Sequence, residues 1–140
     1  MNFMVWWLRA VGVLYLVLGA AWLPPVTSTR LEGAVPGFDG PAGGTAERGF
    51  ADYLLMFGLE LIVLAAFLLV ASFRRSWWVP AAWLVIALSM VRGIVDDVYM
   101  IAVGYPVPMF LGFIALHAVV ILTGLIALRR LARATASPAA

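Results

Sequence analysis

The chain of 140 residues contains no cysteine. That excludes disulfides, thiolate metal sites, iron–sulfur clusters and Cys-x-x-Cys redox chemistry together. Lysine is missing too, every basic residue being arginine, so Schiff-base chemistry on a lysine is ruled out. The single histidine, His117, cannot supply bis-histidine haem ligation from one chain. Charge is scarce, at 11% of residues, where a soluble domain carries about a quarter. There is no glycine loop between strand and helix to cradle phosphate, and no nucleophile elbow. Nothing indicates nucleic acid, because the arginine clusters follow the membrane topology.

What is present is apolar. Hydrophobic residues make up 65% of the chain, which suits a bilayer rather than water. A hydrocarbon core of about 30 Å needs roughly 20 apolar residues in a helix. Phe3–Leu23, Tyr53–Ser72, Trp77–Asp97 and Met109–Leu128 meet that length. Pro24-Pro25 ends the first, Arg74-Arg75 the second, and Pro106 and Pro108 separate the third from the fourth. The predicted fold is an all-α integral membrane protein, a four-transmembrane-helix bundle. It forms one domain over residues 1–133, with a long Pro/Gly-rich outer loop between helices one and two and a disordered tail over 134–140.

Basic residues sort by loop. Arg74 and Arg75 follow span two, and Arg129, Arg130 and Arg133 follow span four. The first loop mixes Arg30 and Arg48 with Glu32, Asp39, Glu47 and Asp52, and the third connection is uncharged. The positive-inside rule then puts both termini in the cytoplasm. Trp6, Trp7, Trp22, Trp77, Trp78 and Tyr105 lie near span ends, as interfacial anchors do. A cleaved signal peptide fits poorly, since Arg9 follows the first apolar residues rather than preceding them and no Ala-x-Ala closes the run.

The loop Pro24–Asp52 reads equally as an outer lid or as a tether. Its Gly33/Gly37 and Gly40/Gly44 pairs match Gly-x-x-x-Gly but sit among prolines, outside any span. Thr45–Arg48 has the composition to start a helix running into span two, with Arg48 and Asp52 spaced to pair. Gly12 and Gly19, seven apart on span one, would let a neighbouring helix approach closely.

The most informative feature is a set of ionisable residues inside the apolar spans. Counted from the outer ends, Glu60 lies about 10 Å deep, His117 roughly 12 Å and Arg92 roughly 8 Å. Charges in hydrocarbon cost about 3 kcal/mol each on insertion scales, so they turn inward and pair. At α-helical spacing Ser89, Arg92, Asp96 and Tyr99 share a face, while Asp97 points about 100° away. The expectation is therefore a buried polar cluster of Glu60, Arg92, Asp96, Asp97 and His117, in which Glu60 reaches Arg92 across helices. Three carboxylates face one arginine, so a carboxyl is protonated, His117 is charged, or a cationic group binds. The Glu-x-x-His spacing of helical metal sites is missing, and no metal or cofactor is expected. Arg9 is expected to snorkel toward the cytoplasm under Trp6 and Leu8. Phe57, Phe67, Phe110 and Phe113 read as packing or lipid-facing residues rather than a cofactor box.

The stretches "FMVWWLRAVGVLYLVLG", "MFGLELIVLAAFLLVAS" and "VRGIVDDVYMI" resemble the BphX-like family, small four-span bacterial membrane proteins named for their place among aromatic-compound degradation genes. The resemblance spans nearly the whole chain and implies a bacterial inner membrane and the handling of hydrophobic aromatic compounds. It supplies no catalytic residues.

Three functions follow as expectations. The leading one is a non-enzymatic protein that binds, or helps move, a small hydrophobic molecule entering from the outer side. Arg92 would anchor its polar group, Glu60 and Asp96 would orient Arg92, and His117 would add a donor or acceptor. Binding is favoured over conduction, because the inner half offers only Arg9. The second is a structural or accessory subunit whose ion pairs only fix helix packing. The third is a membrane enzyme using Asp96 or Glu60 as general base with His117. Partners beyond the lipid bilayer are left open: a homo-oligomer, or a second membrane subunit.

Overall fold

A computed structural model describes residues 2–23, 35, 37–41 and 43–136. Every regular element among them is helical: α1 (Asn2–Ala21), α2 (Thr45–Ala71), a 3-10 turn (Arg75–Trp77), α3 (Trp78–Leu88), a π segment (Ser89–Val95), α4 (Asp96–Ala102) and α5 (Val107–Ala136). The 3-10 turn, α3, the π segment and α4 run on as one rod, so four helices are long and apolar enough to cross a membrane: Phe3–Ala21, Thr45–Ala71, Arg75–Ala102 and Val107–Thr135. The chain is thus an all-α, multi-pass membrane protein of four-helix type.

The helices outrun the apolar windows that locate them. α2 begins at Thr45 rather than near Tyr53, the third span continues to Ala102 rather than ending at Asp97, and α5 reaches Ala136. An apolar window measures hydrocarbon thickness, whereas a helix continues until its backbone finds a stop. Thr45 opens α2 as the sequence suggested, and the Glu47 carboxylate accepts a hydrogen bond from the Gly43 N–H just ahead of it. The third span stops at Gly104, whose φ of 99° only glycine adopts without strain. There the Tyr105 N–H bonds to the Met100 carbonyl at 3.1 Å and the Gly104 N–H to Ile101 at 3.2 Å, the paired closure of a Schellman stop, and Pro106 follows. Residues 134–136 are helical, not a disordered tail; the rest of that tail, and residues 24–34, 36 and 42 of the outer loop, lie outside the described residues.

Two compact units make up the chain: residues 1–11 with 68–140, and residues 12–67. In the second unit α1 and α2 meet backbone to backbone. A Cβ added at Gly19 would stand 2.8 Å from the Gly58 carbonyl oxygen, and one at Gly58 would stand 2.9 Å from that of Gly19. Only paired small residues permit such approach, so the expectation for Gly19 holds. Trp22 and Phe57 lock the same contact edge to face, centroids 5.8 Å apart.

In the first unit the buried stripe of α1 begins at Met4, Leu8 and Val11. Trp7 lies across Gly124 of α5, where an added Cβ would come within 2.7 Å of its ring. Its Nε1–H donates to Thr123 Oγ1 at 3.0 Å, and that hydroxyl donates in turn to the Val119 carbonyl at 2.7 Å. Trp78 is buried as well, with its indole N–H directed at the Ser72 carbonyl. These two tryptophans are core residues with satisfied N–H groups rather than interfacial anchors. Trp6 and Trp77 keep the exposed positions anchors require. Large apolar side chains such as Val91, Val95, Val98 and Leu122 cover the outward surface of this unit, which suits lipid and not water.

Candidate functional site

The third span carries the densest group of polar residues, and its backbone decides which of them face inward. An α-helix advances about 100° per residue, so a buried stripe through Ala81, Ala82 and Val85 would continue through Ser89, Arg92 and Asp96. The π segment intervenes, its i→i+5 bonding placing an extra residue in the turn. Beyond Ser89 the inward side moves on by one position, to Gly93 and then Asp97. Asp97 is 7% exposed and Ser89 fully buried, whereas Arg92, Asp96 and Tyr99 lie on the exposed side. The α-helical face expected for Arg92 and Asp96 is therefore corrected by one residue. The continuation to Ala102 also sets Asp97 five residues back from the helix end, about 8 Å at α-helical rise.

Gly93 is small for a reason visible across the interface. The His117 ring of α5 fills the space where a side chain at 93 would begin, so even a Cβ there would overlap Cγ, Cδ2 and Nδ1 of the imidazole. The π segment and α4 both pack along α5. This brings the half-buried His117 ring onto the wall that also carries Ser89 and Asp97. Among the described residues, two buried side-chain atoms have no hydrogen-bond partner: Asp97 Oδ2 and His117 Nδ1. Each such group costs about 1–3 kcal/mol when left unpaired in a dry interior. Two of them on facing helices within one small region need a physical explanation. Phe110, edge to face with Tyr105 at 5.5 Å and Phe113 at 6.3 Å, makes an aromatic cluster at the start of α5. No group of three or more histidine, aspartate or glutamate side chains among the described residues is placed to hold a metal.

The five residues singled out in the sequence thus separate by burial. Asp97 is buried and His117 half-buried on the Gly93 wall. Arg92 and Asp96 are exposed, each one position before a buried residue of the third span, and Arg92 is engaged in an interaction. Glu60 belongs to the second unit, exposed on α2 and likewise engaged. Sequence reasoning missed Gly93 as a site residue. Its signal was the spacing Ser89-x3-Gly93-x3-Asp97, small or polar residues four apart.

Arg9 reaches the residues that directly follow α2. It is half-buried, its Nε–H donates to Ser72 Oγ at 3.2 Å, and its guanidinium lies 4.7 Å from the Phe73 ring centroid and 5.6 Å from that of Trp6. Leu8 is fully buried.

No family model, no curated protein and no solved structure matches the chain.

Proposed function

We propose that the protein binds a small hydrophobic molecule bearing a hydroxyl group, an apolar alcohol or phenol, between Asp97 and His117. The observation that carries this reading is the pair of unpartnered buried atoms, Asp97 Oδ2 and His117 Nδ1. Gly93 and Asp97 stand one turn apart on the buried side, about 6 Å along the axis, and the imidazole rests against Gly93. A single oxygen shared by the two atoms would make two hydrogen bonds of about 2.8 Å each. A hydroxyl donates to a carboxylate oxygen and accepts from an imidazole N–H at the same time. The apolar body would lie among the side chains of α4 and α5, with the Phe110 cluster at the start of α5 offering aromatic surface. This reading moves the polar anchor from Arg92 to Asp97 and His117 and keeps binding, not conduction, as the activity.

The setting belongs to the same proposal. The resemblance to the BphX-like family and the arginine distribution support a bacterial inner membrane with both termini cytoplasmic. The absence of cysteine makes this simple to test. A Ser76→Cys variant should react with a membrane-impermeant thiol reagent only after lysis, and a Thr45→Cys variant in intact cells. The reverse pattern would contradict the orientation.

The binding claim is tested by comparing 2-naphthol with naphthalene on the purified protein in detergent. The expected result is a rise in unfolding temperature with 2-naphthol alone, abolished by Asp97→Leu. A bound ligand at about a hundred times its Kd stabilises by about 2.7 kcal/mol. Equal shifts from both compounds would mean nonspecific partitioning.

A further inference from the structure

We infer that the arginine-rich end of the first unit is a binding site for the headgroup of an anionic phospholipid, with Arg9 as its central contact. Ser72 fixes Arg9. Its hydroxyl donates to the Leu69 carbonyl at 2.7 Å and accepts from Arg9 Nε at 3.2 Å, so the hydroxyl proton is committed and the guanidinium is held from one edge. Phe73 and Trp6, both largely exposed, lie within cation–π range of the same guanidinium. The Nε–H being engaged by Ser72, the edge formed by the two Nη groups is the one that takes a phosphate bidentately. A long flexible side chain is thereby pre-organised, which lowers the entropy lost on binding.

Charge around Arg9 points the same way. Arg74 and Arg75 follow Phe73 directly, and Arg130 sits 4.7 Å over the ring of Phe3, two turns before Arg9 on α1. No aspartate or glutamate occurs between residues 61 and 95 or after Asp97, so this end of the unit carries no acidic side chain. Exposed Phe3, Trp6, Phe73 and Trp77 interleave with these arginines. Aromatic rings alternating with arginine suit the headgroup level of a bilayer, where rings meet acyl carbons and guanidinium groups meet phosphate. Generic basic loops lack the hydrogen-bonded, ring-flanked arginine found here.

The test is lipid retention by native mass spectrometry of the full chain released from mixed bilayers of dioleoyl phosphatidylglycerol and dioleoyl phosphatidylcholine. The wild type is expected to retain phosphatidylglycerol selectively. Arg9→Gln should weaken that retention about tenfold, the loss of one charge-assisted pair. Arg133→Gln, which removes a charge without a ring-flanked guanidinium, should change it less than about twofold. Arg9→Lys keeps the charge but lacks the fork. It should retain clearly less lipid than the wild type, and it decides the matter if Arg9→Gln does not fold. Equal effects of Arg9→Gln and Arg133→Gln, or full retention by Arg9→Lys, would overturn the site in favour of diffuse attraction. Inorganic phosphate at matched ionic strength should not displace the lipid; displacement would overturn the assignment to a lipid headgroup.

Discussion

The imidazole of His117 stands where a side chain at residue 93 would begin. Glycine there is a packing requirement set by another helix, and it fixes how closely the π segment approaches α5. Gly93→Ala is expected to destabilise the protein by about 1–3 kcal/mol through overpacking. Adding His117→Ala should recover much of that loss, since the two changes touch the same space. Unfolding of the purified single and double variants in detergent checks this, and strict additivity would mean that the cost of Gly93→Ala does not arise at the imidazole.

Asp97 separates function from stability. A structural carboxylate in a complete network costs about 3–5 kcal/mol to remove. A carboxylate retained for a ligand, with one oxygen unpartnered, should be cheap to replace with an apolar residue of similar size. Asp97→Leu is therefore expected to leave stability unchanged, or raised by about 1 kcal/mol, while abolishing the 2-naphthol response. A large loss of stability would favour the architectural role instead.

The Trp7–Thr123 hydrogen bond is a third point of test. Thr123→Val keeps the shape and removes the acceptor, leaving the buried indole N–H unpaired at a cost of about 1–3 kcal/mol. Trp7→Phe in the same background should add less than it does alone, because the donor is already orphaned. Equilibrium unfolding of the four proteins in the cycle measures the coupling.

In the second unit, Gly19→Leu should disrupt the α1–α2 contact, because the Gly58 carbonyl and the Ile62 side chain occupy that space. Overpacking of this kind costs about 1–3 kcal/mol. The expected readout is a lowered unfolding midpoint, and an unchanged midpoint would show that the two helices separate without penalty.

The span count was legible because it rests on length and hydropathy, which the bilayer sets directly. Helix ends were less so. Thr45–Asp52 and Arg129–Ala136 are polar enough to leave an apolar window, yet the chain stays helical there. The site was half legible. Asp97 and His117 stand out in an apolar run by chemistry alone, but their orientation depends on the π segment. A period of 3.6 pointed to Arg92 and Asp96, and one extra residue in a turn transfers the inward position to Gly93 and Asp97. Trp7 misled for a related reason: closeness to a span end says nothing of which side of the helix a ring occupies. Thr123 and Gly124, more than a hundred residues away, supply the partners that make it a core residue.

The most direct measurement is a mass inventory of small molecules carried by the protein purified from its own membranes, wild type beside Asp97→Leu. The expected result is one hydroxylated hydrophobic compound per chain, released in organic solvent from the wild type and lacking in the variant. Identical extracts from two equally folded proteins would contradict a ligand held between Asp97 and His117.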